Sequence, residues 1–321
     1  MRRSTPVIRS RPPLEAVTDG LDQIRDGGKR ALARALTRIE ALPDAAGTVA
    51  LLDAAYAAAR AHTVGLTGPP GVGKSTLTAT LIEHWRQDGR TVGVIAVDPS
   101  SKISGGALLG DRTRLRTDPG DQGVFVRSMA ARDRLGGLAD LTVAALVLMR
   151  ALFDIVLVET VGVGQSETDV SSAVDTVVLC IQPGSGDALQ FMKAGIVEIP
   201  DIVAVTKTDM GASAAQARAD LAASLDLRER TPGGWTVAAL GVSALKGEGV
   251  GELMALIDRH GAHLAPTLAV RRQRQAQEWL VQFVRERWGR EGLRRVGEIG
   301  LAPGASPFAA LAGLRARAEM S

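Results

Sequence analysis

Gly68-Pro69-Pro70-Gly71-Val72-Gly73-Lys74-Ser75 fills the pattern GxxxxGK[ST], and Thr76 follows it directly. An apolar run ends at Thr67 on one side, and apolar residues recur from Leu77 to Trp85 on the other. The stretch therefore reads as a loop between a strand and a helix, where backbone N–H groups and the positive helix end converge on phosphate oxygens. Glycines at 68, 71 and 73 permit the close approach and unusual φ values that such a loop needs. In this pattern Lys74 reaches the β- and γ-phosphates, and the Ser75 hydroxyl holds Mg2+. A ligand-free glycine turn is the bland alternative, but it needs neither the lysine nor the serine. The stretch from Gly68 to Thr76 thus predicts nucleoside triphosphate binding.

Around the loop the chain looks like an ordinary globular protein. Of its 321 residues 45% are hydrophobic and 23% charged, enough for a substantial core. The single cysteine, Cys180, lies in an apolar run, so it reads as a small buried hydrophobe, and no disulfide framework is available. A reducing bacterial cytoplasm is the expected compartment. The four histidines show no ligand spacing on one face, so Mg2+ is the only metal expected. A formal charge of +3 and an aromatic content of 3% weigh against a nucleic-acid partner. No apolar run approaches the length of a membrane span, so no membrane partner is expected. The basic N-terminus lacks the apolar core of a secretory signal.

Three regions separate by pattern. Residues 1–60 read as a tail and a helical extension, with Leu21, Ile24, Leu32, Leu36 and Ile39 at helical spacing and a second helix over 49–60 after Pro43 and Gly47. Residues 61–262 alternate short β-rich runs (62–67, 91–97, 124–127, 154–159, 176–182, 202–206 and 236–242) with helical stretches. Most of these runs are continuously apolar, as strands covered on both faces are. The fold class is therefore α/β, a doubly wound and mostly parallel sheet with its ligand at the strands' carboxyl ends. Residues 263–321 form a C-terminal helical extension, in which Trp279, Leu280, Phe283, Val284 and Trp288 make a stripe. That stripe could pack on its own domain or serve a dimer contact.

Later motifs choose the nucleotide. Thr206-Lys207-Thr208-Asp209 follows the run 202–205 and matches [N/T]KxD. A carboxylate such as Asp209 accepts from both N1–H and the exocyclic amine of guanine, a donor pair adenine lacks. The Lys207 stem can lie over the base. Thr206 replaces the commoner Asn, which is expected to weaken the bond between loops. Ser243-Ala244-Leu245 matches the loop whose backbone meets the guanine oxygen. Asp98 and Glu159 end two β-runs and can hold Mg2+ or its waters, while Gly162 can offer its N–H to the γ-phosphate. Asp111 is a further metal candidate. No Gln sits beside Gly162, so intrinsic hydrolysis is expected to be slow until a partner completes the site.

Taken together, GPPGVGKST, VDPSS, SGGALLGDRTR, VETVGVGQSE, QPGSGD and TKTD resemble the MeaB/ArgK family of G proteins over nearly the whole chain. That resemblance implies a P-loop GTPase that chaperones an adenosylcobalamin-dependent acyl-CoA mutase. The typical client is methylmalonyl-CoA mutase, with isobutyryl- and 2-hydroxyisobutyryl-CoA mutases as alternatives. It implies GTP and GDP as ligands and gated cobalamin delivery. It also implies a homodimer built through the C-terminal extension. Lys74, Asp98 and Glu159 become the catalytic set, and Ser75, Asp98, Asp111 and Glu159 surround the metal. The segment 182–193 matches the family's extra switch, with Gln182, Asp187 and Lys193 as its residues of interest. Two other readings compete. A metal-insertion GTPase for a nickel enzyme would want a Cys- or His-rich site, and a transport-linked kinase would want ATP.

Overall fold

The computed structural model describes residues 20–99, 117–131, 140–160, 170–184, 200–226 and 234–320. Three helices open it: α1 (Leu21–Asp26), α2 (Gly28–Ala41) and α3 (Ala46–Ala57). The first helical stretch is thus two helices rather than one. Its break falls at Gly27-Gly28, where Gly28 takes φ +58°, a value any side chain would oppose.

Seven strands follow: β1 (His62–Thr67), β2 (Val92–Pro99), β3 (Val124–Ala131), β4 (Ile155–Glu159), β5 (Thr176–Ile181), β6 (Ile202–Val205) and β7 (Ala238–Gly241). They form one sheet in the order β3-β2-β4-β1-β5-β6-β7, and every pairing is parallel. Each expected run is a strand. β4 and β5 are buried along their whole length, which is why both read as continuous apolar runs rather than as an alternation. The helices among and after the strands are α4 (Lys74–Gln87), α5 (Asp140–Leu152), α6 (Ala212–Asp226), α7 (Val250–Leu264), α8 (Leu268–Val296) and α9 (Pro307–Met320).

Alternate residues of each strand face different cores. Val156 and Val158 join a large cluster with α1, α2, α3, α5, α8 and α9, while Ile155 and Leu157 join a second with α4 and α7. α6 continues the first layer over β5 and β6 through Leu221. The two helical extensions are therefore parts of one layer, meeting through α5 and directly, where Arg287 and Arg315 pair with Asp44. Trp279, Leu280, Phe283 and Val284 are buried within this layer. Contact with a second copy would draw on other residues. At Gly289, with φ +64°, the backbone of α8 leaves helical geometry and the helix kinks.

A polar clamp fixes α8 to the sheet. Arg272 donates to both oxygens of the fully buried Asp175 at 3.0 and 2.7 Å and to the Ala61 carbonyl at 2.7 Å. Gln275 donates to the Val174 carbonyl at 2.9 Å. Buried Arg150 on α5 donates to the Ala173 carbonyl and lies over the Trp279 ring. Burial lowers the pKa of Arg150 to about 10. Burial alone would raise Asp175, yet Arg272, Arg150 and the Thr63 N–H together bring it well below the usual carboxylate range.

Candidate functional site: a phosphate loop between β1 and α4

β1 lies in the middle of the sheet, between β4 and β5, so its exit loop opens at the centre of the carboxyl edge. Gly68, Gly71 and Gly73 have φ of +133°, +78° and +99°. Gly68 is also sterically required, since a Cβ there would lie 2.1 Å from the Cys180 carbonyl oxygen. Leu77, Leu81, Ile82 and Trp85 bury one face of α4. That packing points the helix N-terminus, which begins at Lys74, into the loop.

Lys74 is buried and its ammonium donates to the Gly68 and Pro69 carbonyls at 2.7 and 2.8 Å. It closes the loop on itself. Ser75 Oγ donates to Glu159 Oε1 at 2.5 Å, and Thr78 Oγ1 donates to Glu159 Oε2 at 2.9 Å. The carboxylate at the end of β4 is therefore held by two hydroxyls of α4. Thr78 was not singled out from the sequence, although its i+3 spacing from Ser75 puts both on one helix face. Thr160 continues past β4 with its N–H on the Leu66 carbonyl at 3.1 Å.

The base-reading loop is tied to the phosphate loop. Thr206 Oγ1 lies 2.7 Å from the Val72 carbonyl and 2.9 Å from that of Ile181. Ile181 O already accepts the Thr206 N–H at 2.8 Å, so Val72 is the acceptor that needs the hydroxyl proton. The bond between loops expected to weaken without Asn is made by Thr206. Lys207 has φ +55°, the sole positive value outside glycine among the described residues. Left-handed backbone costs a residue with a Cβ about 1 kcal/mol. Its ammonium donates to the Gly71 carbonyl at 2.8 Å and to Gln182 Oε1 at 2.6 Å.

Asp209 presents an exposed carboxylate whose Oδ1 accepts from the buried Ser243 hydroxyl at 2.8 Å. That bond, followed by one from its own backbone N–H, lowers its pKa, so it is ionised and ready to accept. Ser243 is fixed in turn by its N–H on the Glu248 carbonyl at 2.9 Å. Ala244 O accepts from Thr80 of α4, and Leu245 is 81% exposed beside it. Lys74, Ser75, Glu159, Thr206, Lys207, Asp209 and Ser243 thus belong to one edge of the sheet. Asp111, Gly162, Asp187 and Lys193 lie outside the described residues, as does the side chain of Asp98.

Two features away from this edge bear on the sequence reading. Cys180 is buried, and burial pushes its thiol up to about 12, so it is inert packing. Three of the four histidines, His62, His260 and His263, unpatterned in sequence, converge below the sheet, while His84 stays on α4 with its Nδ1 against the Thr80 carbonyl. Thr176 Oγ1 lies 2.7 Å from both His62 Nε2 and His260 Nδ1, and His260 Nε2 lies 3.3 Å from Asp201 Oδ1. Trp235 packs on His260 and His263. Among the described residues no cluster of His, Cys, Asp or Glu is disposed to hold a metal. The hydrogen bonds of this histidine network tie β1, β5 and α7 together. No described helix is long and apolar enough to cross a membrane.

An all-parallel sheet with this loop and a linked carboxylate reader defines the class of P-loop nucleotide-binding proteins. The chain belongs to the MeaB family, whose model, described as methylmalonyl-CoA mutase-associated GTPase MeaB, matches residues 32–292. It is a guanine-nucleotide-binding P-loop GTPase. A Pyrococcus horikoshii relative is 41% identical over 83% of this chain and 84% of its own. GTPase ArgK of Escherichia coli is 35% identical over 82% of each. The mitochondrial methylmalonic aciduria type A homolog of Mus musculus is 39% identical over 70% of this chain and 55% of its own. A crystal structure titled as a LAO/AO transport system kinase shares the fold with a TM-score of 0.64 at 27% identity, covering 93% of this chain and 96% of the other.

Proposed function

We propose that this chain is a GTP-hydrolysing chaperone that gates adenosylcobalamin loading of an acyl-CoA mutase and protects or reactivates that enzyme. Methylmalonyl-CoA mutase is the default client. The observation that carries the reading is the Ser75–Glu159–Thr78 contact within a family described by its association with that mutase. It joins the phosphate loop to the end of β4, after which the sequence runs on into residues 161–169. A change at the γ-phosphate therefore has a direct route into the chain that a client would read.

The donor set fits Mg2+. Hydroxyl and carboxylate oxygens meet at Ser75 and Glu159, and hard oxygen donors are what this ion takes. Ser75 and Glu159, with Asp98 and Asp111, would hold it, and once bound it offsets phosphate charge. Lys74 exchanges its loop carbonyls for phosphate oxygens, and Asp209 accepts from guanine. Hydrolysis is slow alone and faster with the client, because no Gln sits beside Gly162 in the sequence to orient the attacking water. The Asp209 carboxylate, held by Ser243 in the TKTD loop, also favours this reading over a transport-linked kinase, since adenine offers no matching donor pair.

Co-purification of the full chain with each candidate mutase tests the proposal, with GDP or a non-hydrolysable GTP analogue present. Retention that depends on the nucleotide supports it. Retention of no mutase under either condition would sink it.

A further inference from the structure

The chain leaving β5 is pinned to the phosphate loop at three successive residues. Cys180 O fills the space where a Gly68 Cβ would stand. Ile181 O and Val72 O both lie within reach of the Thr206 hydroxyl. Gln182 Oε1 and Gly71 O share the Lys207 ammonium at 2.6 and 2.8 Å. On the β5 side the first two use only backbone carbonyls that any residue would supply, the second of them reaching the phosphate loop through Thr206. The third depends on one side chain.

Lys207 has a long, flexible stem on a backbone in a left-handed conformation. Held by Gly71 O alone, its ammonium could pivot about a single acceptor. Two acceptors on separate loops fix it, and the Gln182 contact is short and charge-assisted. The Lys207 Cε then sits 4.0 Å from where a Gly73 Cβ would stand, with the stem alongside the last turn of the phosphate loop.

We propose that Gln182 is a positioning residue for the guanine nucleotide. Its side-chain oxygen holds Lys207 where the lysine stem supports the base and its ammonium braces the phosphate loop. This rests on reading 206–209 as the base loop. Coupling of this kind is reciprocal, so nucleotide occupancy also fixes the chain at the exit of β5. The Watson–Crick edge is read by Asp209, which Ser243 holds, so the loss of Gln182 should weaken binding without changing which base is preferred.

The test measures GDP affinity and dissociation rate of the full chain, using a fluorescent GDP analogue, for wild type, Q182M, Q182E, K207M and Q182M/K207M. Q182M keeps the length but lacks an acceptor, and should raise Kd about tenfold, mainly through faster dissociation. Q182E retains an acceptor and should bind within about twofold of wild type, which a purely packing role would not produce. Q182M should add nothing in the K207M background. The preference for GDP over XDP should be unchanged in Q182M. Binding by Q182M within about twofold of wild type would overturn the proposal, as would additivity with K207M or equal loss in Q182E. Asp209→Asn, run alongside, tests the base loop separately. Unchanged guanine preference there removes the base-reading assignment, while the Gln182–Lys207 cycle still reports on the coupling.

Discussion

Ser75 and Glu159, 84 positions apart in sequence, share a hydrogen bond of 2.5 Å. One lies in the first turn of α4 and the other ends β4, so the contact joins the phosphate loop to the strand beside β1. Thr78 takes the second carboxylate oxygen at 2.9 Å. The carboxylate cannot rotate without losing one of them.

Thr78→Val should therefore act on the metal without touching phosphate. Outer-shell partners of this kind typically affect metal affinity by about 10–100-fold. Titrating Mg2+ into the GTP-bound variant should show a loss of about tenfold, with GTP binding in chelator unchanged. Unaltered Mg2+ dependence would remove Thr78 from the site.

Thr206→Val should leave the Val72 carbonyl without its donor from the base loop. An unsatisfied buried acceptor costs about 1–3 kcal/mol, so the thermal midpoint should drop and GDP should dissociate faster. Thr206→Asn should largely restore both. If valine matched wild type in both measurements, the bond between loops would be dispensable.

Arg272→Ala should be the most damaging single change outside the nucleotide site. It strands the buried Asp175 carboxylate, and breaking such a pair costs about 3–5 kcal/mol. Denaturant unfolding would report this, and a loss under about 1 kcal/mol would contradict the clamp. The folded pKa of Asp175 is depressed, so its contribution is present above the unfolded carboxylate value and lost on acidification through the folded one. Asp175→Asn should flatten that acid limb.

The network below the sheet makes opposing contributions at mildly acidic pH. Burial lowers His260 to about 3, so its contribution is present above its unfolded value, about 6.5, and fades as pH falls. Burial raises Asp201 to about 6, so its contribution is present below its unfolded value, about 3.9, and fades as pH rises through the folded one. Over the shared window the two slopes offset. Asp201→Asn should leave the His260 slope alone, giving a steeper fall in melting temperature on acidification from neutrality. A profile parallel to wild type would show that the pair does not titrate this way.

Much of this was legible beforehand, for identifiable reasons. The central strands stood out because a sheet covered on both faces needs continuous apolar runs such as Val177–Ile181, while the edge strands β3 and β7 stood out as short β-rich runs between helical stretches. The phosphate and base loops were legible because their chemistry restricts residue type at fixed spacing. The break at Gly27-Gly28 was not, since the apolar spacing runs through it. His62 and His260 gave no signal because no periodicity relates residues on β1 and α7. The stripe Trp279–Val284 showed that α8 has an apolar face, and only packing revealed that α5 and α9 cover it. Lys207's left-handed backbone was also hidden, and so were the partners of its ammonium, Gly71 and Gln182, which come from other parts of the chain.

The most direct test of the account is GTP turnover by the full chain with and without purified methylmalonyl-CoA mutase, with Lys74→Ala as the control. The account predicts a slow basal rate that rises at least about tenfold with the mutase, and no such rise in the variant. A wild-type rate indifferent to each candidate mutase, or a Lys74→Ala rate equal to wild type in its presence, would contradict it.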